Sequence, residues 1–300
     1  MPGFSSNQRG MVAIVCAMAC FVGNDTAMKL TGSALPLSEA IFLRSLFASL
    51  FCLAMILARG QVATLRHVGQ KLVLVRACTE IIGTFTFLAA LRLMPISDVT
   101  AIEQIVPLLL TAYAALVLRE PVAPARLLAI SIGFAGALMI AAPSGQISVG
   151  AWLAFGTALA VTARDLLGRR MHTSVSPLAV TLAGMMIVGA AALAAGLIPG
   201  LETRWVIPSP AIFGLLLGSA ILLSIAYVAM ITALRLGQVQ ALAPFYYAQT
   251  LFALLAGLFV FGDHLSAQAL LGTALVVAAG LFVIAPWRGK AAGIAPVPHE

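Results

Sequence analysis

Charge is scarce in these 300 residues. Asp, Glu, Lys and Arg make up 9% of the chain, against about 25% in soluble globular domains. With 62% apolar residues and a mean hydropathy of +1.07, a water-soluble fold is excluded. Histidine is nearly missing where chemistry would need it. His67, His172, His264 and His299 all fall outside the apolar runs, so no His-based dyad or metal cluster can assemble within them. The chain carries no Walker A sequence, which removes direct ATP drive. The four cysteines, Cys16, Cys20, Cys52 and Cys78, lie inside apolar runs, where they serve as small packing residues and not as a disulfide framework. Strict alternation of polar and apolar residues is absent too, which excludes a membrane β-barrel.

What is present is a series of apolar runs near the roughly 20 residues that cross a bilayer as a helix. They fall at 9–29, 37–58, 70–91, 97–118, 124–142, 149–168, 177–198, 210–233, 239–261 and 266–285. The expected fold is an all-α membrane protein of ten transmembrane helices. Met11 to Phe21 after Arg9 has the look of a signal-peptide core. It aligns instead with the sixth run, through Asp25 and Lys29 against Asp165 and Arg169, and is read as a retained first span.

Ala90–Pro143 overlays Ala233–Pro286 without a gap at an offset of 143 residues, matching Ala90-Leu91-Arg92-Leu93 to Ala233-Leu234-Arg235-Leu236. The chain is therefore two copies of one unit, and the copies differ in charge. Arg119 and Arg126 face Gly262 and Ala269, whereas Pro143-Ser144-Gly145 faces Pro286-Trp287-Arg288-Gly289-Lys290. Basic loops have changed sides, as they do when two copies cross a membrane in opposite directions. Five spans per copy produce that inversion. The expected organisation is a first five-helix repeat at 1–146, a second, inverted repeat at 147–290 and a tail at 291–300, with Ala142–Gly150 as the joint. Arg9, Arg59, Arg66, Lys71, Arg119, Arg126, Arg169, Arg170, Arg235, Arg288 and Lys290 lie on the side of the termini, against Lys29, Arg92 and Arg204 opposite. Both termini are thus expected in the cytoplasm. This bias accounts for most of the net charge of +7, and no nucleic-acid partner is implied.

An ionisable group near the bilayer centre costs about 2.5 to 3.5 kcal/mol on insertion scales, so the deep charges are the candidates for function. Arg76 and Glu80 share a face of the third span, which Thr84 and Phe87 extend. Thr100, Glu103 and Pro107 form a stripe on the fourth with Gln104 beside it; Tyr246 matches Glu103 in the ninth, with Tyr247 and Gln249 following. Asn24 and Asp25 add polarity to the first span, and Ser224 and Tyr227 to the eighth. Glu103 has no basic residue four positions away and is the foremost candidate. Arg44 and Arg164 are expected to snorkel toward the span ends. Asp25 with Lys29 and Asp165 with Arg169 read as helix-end pairs, and Gly214 with Gly218 as a packing pair. Pro107 and Pro244 inside spans mark the fourth and ninth as cavity walls. Buried polar groups without a histidine site or nucleotide motif favour a secondary transporter over an enzyme, a channel or a scaffold.

Ala90-Leu91-Arg92-Leu93-Met94-Pro95-Ile96-Ser97-Asp98-Val99, then Pro107, Arg119-Glu120 and Gly133-Phe134-Ala135-Gly136 resemble the repeat of the drug/metabolite transporter superfamily, EamA branch. The second copy departs from it, with Gly262-Asp263 in place of the usual Gly-Glu and Gln249-Thr250 in place of Glu-Pro. Within the branch the chain is most similar to aromatic amino-acid exporters of the YddG type. That resemblance implies export of aromatic and other apolar amino acids from the bacterial inner membrane, through a central cavity and with no cofactor. The expected partners are an amino-acid substrate and the lipid bilayer, and a monomer is compatible with the sequence. The expected substrate-binding residues are Arg76, Glu80, Thr84, Glu103, Gln104, Tyr227, Tyr246, Tyr247 and Gln249. Cation and carboxylate would meet a zwitterion, and the tyrosines an aromatic ring. A lipophilic cation is the alternative substrate class.

Overall fold

The structure is a computed structural model that describes residues 6–32, 34–117, 119, 122–142, 145–169, 171, 176–200, 204–236, 242–264 and 266–284. Ten helical segments run along it. They are α1 (Ser6–Thr31), α2 (Leu37–Ala58), α3 (Lys71–Leu93), α4 (Ile96–Leu116), α5 (Pro124–Ala141), α6 (Val149–Arg169), α7 (Pro177–Gly196), α8 (Pro210–Leu236), α9 (Ala243–Phe261) and α10 (Ala267–Ile284). A short 3-10 turn, Val62–His67, joins α2 to α3. No strand occurs among the described residues. Among the described residues, eight helices are long and apolar enough to cross a membrane, and α10 adds a shorter apolar stretch at Ala267–Val283. α6 completes the ten at 21 residues. Glu120, residues 237–241, Arg170, His172 and everything from 285 on, including Arg288, Lys290 and the expected 291–300 tail, lie outside the described residues.

The helices pair as two equivalent sets. α1 packs on α8 as α3 packs on α6, α2 on α8 as α3 on α7, and α1 on α9 as α4 on α6. α2 with α7, α4 with α9 and α5 with α10 pair with their own counterparts. Exchanging each helix with the one five positions away reproduces this pattern, which is a pseudo-two-fold relation between α1–α5 and α6–α10. The repeats are inverted. Lys29 at the end of α1 donates to the Met94 carbonyl at 2.9 Å, and Gly150 at the start of α6 packs on Leu93 and Met94. α1 therefore finishes at the end of the bundle where α6 begins. At the opposite end, the Ser6 hydroxyl donates to the Leu236 carbonyl where α1 begins and α8 finishes.

Proline and glycine shape two of these helices. α4 is broken into Ile96–Glu103 and Val106–Leu116, with Gln104 and Ile105 between them. Pro107 has no N–H to offer the carbonyl four residues back, which is that of Glu103. α9 opens as a 3-10 turn through Pro244 and closes as a π turn at Gly257–Phe261, stopped by Gly262 at φ +65°. Only glycine takes that left-handed conformation without steric cost.

The close helix crossing is not where the sequence placed it. A Cβ on Gly214 or Gly218 would meet nothing within 4 Å, whereas one on Gly136 would stand 2.7 Å from the Gly272 carbonyl oxygen. The small residues that bring backbones together are Gly133, Gly136 and Gly272, between α5 and α10. Spacing on α8 looks the same in sequence, but that face of the helix has no neighbour.

Candidate functional site

Glu80 gathers polar and charged partners from three helices and both repeats. It is 8% exposed, midway along α3. Its Oε2 accepts from Arg76 Nη1 at 3.0 Å on the same helix. Its Oε1 accepts from the Tyr227 hydroxyl of α8 at 3.3 Å and lies 3.5 Å from Arg164 Nη1 of α6. Arg164 also donates through Nε to Asp165 Oδ1 at 3.1 Å. The Tyr227 ring meets Phe21 of α1 edge to face, with centroids 5.4 Å apart. A carboxylate removed from water is stable only when paired and hydrogen-bonded, and Glu80 has both kinds of support.

A second polar layer adjoins this centre. Asn24 Nδ2 donates to Asp25 Oδ1 at 2.8 Å, and both residues are buried. Asp25 lies within electrostatic range of Glu103 and of Arg44, and Glu103 within range of Arg164 and Asp165. Glu103 makes no ion pair within 4.0 Å among the described residues. Its neighbour Gln104 donates to the Tyr246 backbone carbonyl at 3.3 Å and so ties the break in α4 to the opening turn of α9.

Several expected placements change. Asp25 and Lys29 do not pair. Asp25 is held by Asn24, while Lys29 turns to Met94 and sits 4.8 Å from the centroid of the Phe261 ring. Asp165 bonds its neighbour Arg164, and the Arg169 side chain is outside the described residues. Arg44 does not snorkel; it is 5% exposed. Arg164 does not either, because it turns inward to Glu80. Sequence spacing within one helix could not reveal the Lys29–Met94 and Arg164–Glu80 contacts, since each joins separate segments of the chain. Arg44, Arg164 and Phe21 are the residues that the sequence reading left out of the site.

Of the expected site residues, Arg76, Glu80 and Tyr227 meet directly. Thr84 is half-buried one turn beyond Glu80. Tyr246 donates its hydroxyl to Met230 Sδ at 3.2 Å and packs with Ile14, Ala17 and Met18. Tyr247 is buried differently, against Gly280 of α10 and with no partner for its hydroxyl among the described residues. Gln249 is half-buried, one turn after the tyrosines. Among the described residues no group of His, Cys, Asp and Glu has the make-up of a metal site. An apolar recess of about 320 Å3 opens between α1 and α9, lined by Gln8, Met11, Val12, Val15, Cys16 and Phe245, away from Glu80.

Ten helices in two inverted repeats around a buried charged centre agree with what the family comparison finds. The model of the EamA-like transporter family matches residues 8–142 and again 148–285. The chain belongs to the EamA-like transporter family. It is a multi-pass membrane protein whose family moves small molecules. Its relatives include a riboflavin transporter of Rhizobium johnstonii, 28% identical over 84% of this chain and 82% of that one. They also include an S-adenosylmethionine uptake transporter of Rickettsia bellii, 24% identical over 87% and 88%, and a riboflavin transporter of Vibrio cholerae, 27% identical over 72% of each chain. A protein of known crystal structure shares the fold, with a TM-score of 0.64 at 21% identity over 90% of this chain and 94% of that one. As an EamA-like transporter, the chain places its charged centre where α3 of one repeat meets α6 and α8 of the other. Inverted-repeat transporters bind substrate at such an interface.

Proposed function

We propose that this transporter exports amino acids, the aromatic and other apolar ones, across the bacterial inner membrane by alternating access, with both termini in the cytoplasm. The observation that carries the reading is the Glu80 centre, where one carboxylate, two guanidiniums and a tyrosine meet between repeats. A centre that holds both signs of charge suits a zwitterion better than a singly charged ligand, and the Phe21–Tyr227 pair beside it offers ring edges and faces to an aromatic side chain. Arg76, Glu80, Thr84, Glu103, Gln104, Tyr227, Tyr246, Tyr247 and Gln249 are the proposed substrate residues of this site. A lipophilic cation fits less well, since it would approach the guanidiniums of Arg44, Arg76 and Arg164 in a low-dielectric setting.

S-adenosylmethionine is the second reading. It joins an amino-acid head to a flat ring, and several relatives are named as its uptake transporters. The deciding experiment is a proteoliposome panel of phenylalanine, tryptophan, leucine, S-adenosylmethionine, riboflavin and tetraphenylphosphonium, run with and without a pH gradient. Flux of phenylalanine and tryptophan should exceed that of riboflavin. Riboflavin flux without amino-acid flux would rule out amino-acid export.

A further inference from the structure

We propose that Arg44, Asn24 and Asp25 form the subsite that takes the carboxylate and ammonium groups of the substrate. The inference rests on the amino-acid reading and adds three residues that are not among its proposed substrate residues.

Among the described residues three guanidiniums lie deep in the bundle, and two are already engaged. Arg76 is held by Glu80 at 3.0 Å, and Arg164 by Asp165 at 3.1 Å and Glu80 at 3.5 Å. Arg44 differs from both. It is 5% exposed on α2, its Nε has no acceptor among the described residues, and no carboxylate among them comes within 4.0 Å of it. Asp25, Tyr227 and Glu80 act on it only at longer range. A buried donor without an acceptor is costly to maintain. A guanidinium is also the side chain best matched to a carboxylate, through paired N–H bonds.

The complementary half lies on α1. Asn24 is 2% exposed and Asp25 7% exposed. The Asn24 amide nitrogen donates to Asp25, and Asn24 Oδ1 has no donor among the described residues. One amide oxygen and one carboxylate are the acceptors an ammonium group needs. Asp25 and Arg44 are within electrostatic range of each other, so the two halves belong to one locus. Phe21 sits one helical turn before Asp25, and Tyr227, its edge-to-face partner, is also within range of Arg44. A substrate with its head group between Arg44 and Asn24–Asp25 therefore has its side chain beside Phe21 and Tyr227. This arrangement selects molecules that carry both a carboxylate and an ammonium group.

The test measures competition against labelled phenylalanine in proteoliposomes, using phenylalanine, phenethylamine, which lacks the carboxylate, and 3-phenylpropionate, which lacks the ammonium. The wild type should prefer phenylalanine to phenethylamine by about tenfold or more, the worth of one charge-assisted contact. Arg44→Gln should abolish that preference while keeping the one over 3-phenylpropionate. Asp25→Asn should do the reverse. If Arg44→Gln does not reach the membrane, Arg44→Lys carries the test, because losing the planar fork should narrow the ratio several-fold. An unchanged ratio in a folded Arg44 variant that transports phenylalanine overturns the subsite and leaves the amino-acid reading standing. A wild type that moves no amino acid overturns both.

Discussion

Arg164 of α6 reaches across to Glu80 of α3, Nη1 to Oε1 at 3.5 Å, and so links the second repeat to the first at a buried point. Pairs of this kind hold their elements in one arrangement as long as both charges are present, and breaking one by removing a single partner is strongly destabilising, about 3 to 5 kcal/mol. Under the alternating-access mechanism proposed above, such a link is also where substrate and conformational change meet.

The charge bias of the loops predicts which end of the bundle faces the cytoplasm. The four native cysteines are free, and Cys16 and Cys78 are exposed, so labelling requires a background without them. Val122→Cys should then react from the cytoplasmic side and Gln146→Cys from the opposite side. The loops near 66, 171 and 236 should follow Val122. Labelling of Val122→Cys from outside with Gln146→Cys from inside would reverse the orientation.

Glu103 ends the first half of α4 without an ion pair among the described residues. Glu103→Gln should lower transport several-fold while leaving the protein folded, because the amide keeps the shape and removes the charge. Full activity at every pH would remove Glu103 from the mechanism. Retained activity that no longer varies with pH would make it a proton site and not a substrate contact.

The two tyrosines of α9 should separate in their effects. Tyr246 packs beside α1 and α8, whereas Tyr247 fills space against Gly280. Tyr246→Ala should weaken phenylalanine and tryptophan more than a small apolar amino acid, by a factor of a few to tenfold, from a ring contact of about 0.5 to 1.5 kcal/mol. Tyr247→Ala should affect all substrates alike and lower the melting temperature. Equal losses across substrates in both variants would return Tyr246 to packing.

The crossing of α5 and α10 can be tested with single methyl groups. Gly136→Ala places a Cβ 2.7 Å from the Gly272 carbonyl oxygen, an overpacking worth about 1 to 3 kcal/mol. The melting temperature in detergent should fall. Gly218→Ala, with nothing within 4 Å, should leave it unchanged or raise it, since alanine favours helix by up to about 1 kcal/mol. The opposite order would show that helix backbones meet along α8.

Fold and site were legible to different depths. Repeat length, span number and inversion rest on periodic hydrophobicity and on which loops carry Lys and Arg, both of which are one-dimensional signals. The pairing of Arg76 with Glu80 was readable for the same reason, because four residues make one helical turn. Arg164 with Glu80 and Tyr227 with Glu80 were not, since each joins helices far apart in the chain. Arg44 was misplaced on the same ground, as a cation early in a span snorkels or turns inward according to neighbours that its own helix does not reveal. The α4 break was half visible, for Pro107 marks it while its position at Gln104 and Ile105 depends on the contact with α9.

Counterflow of labelled phenylalanine shows whether substrate passes through the Glu80 centre. Liposomes preloaded with phenylalanine are compared for wild type and Glu80→Gln, with a thermal melt confirming that the variant is folded. The wild type should show an overshoot, and Glu80→Gln should lose at least about tenfold in initial rate, the equivalent of about 1.4 kcal/mol. A folded Glu80→Gln protein whose overshoot matches the wild type would place the substrate path elsewhere.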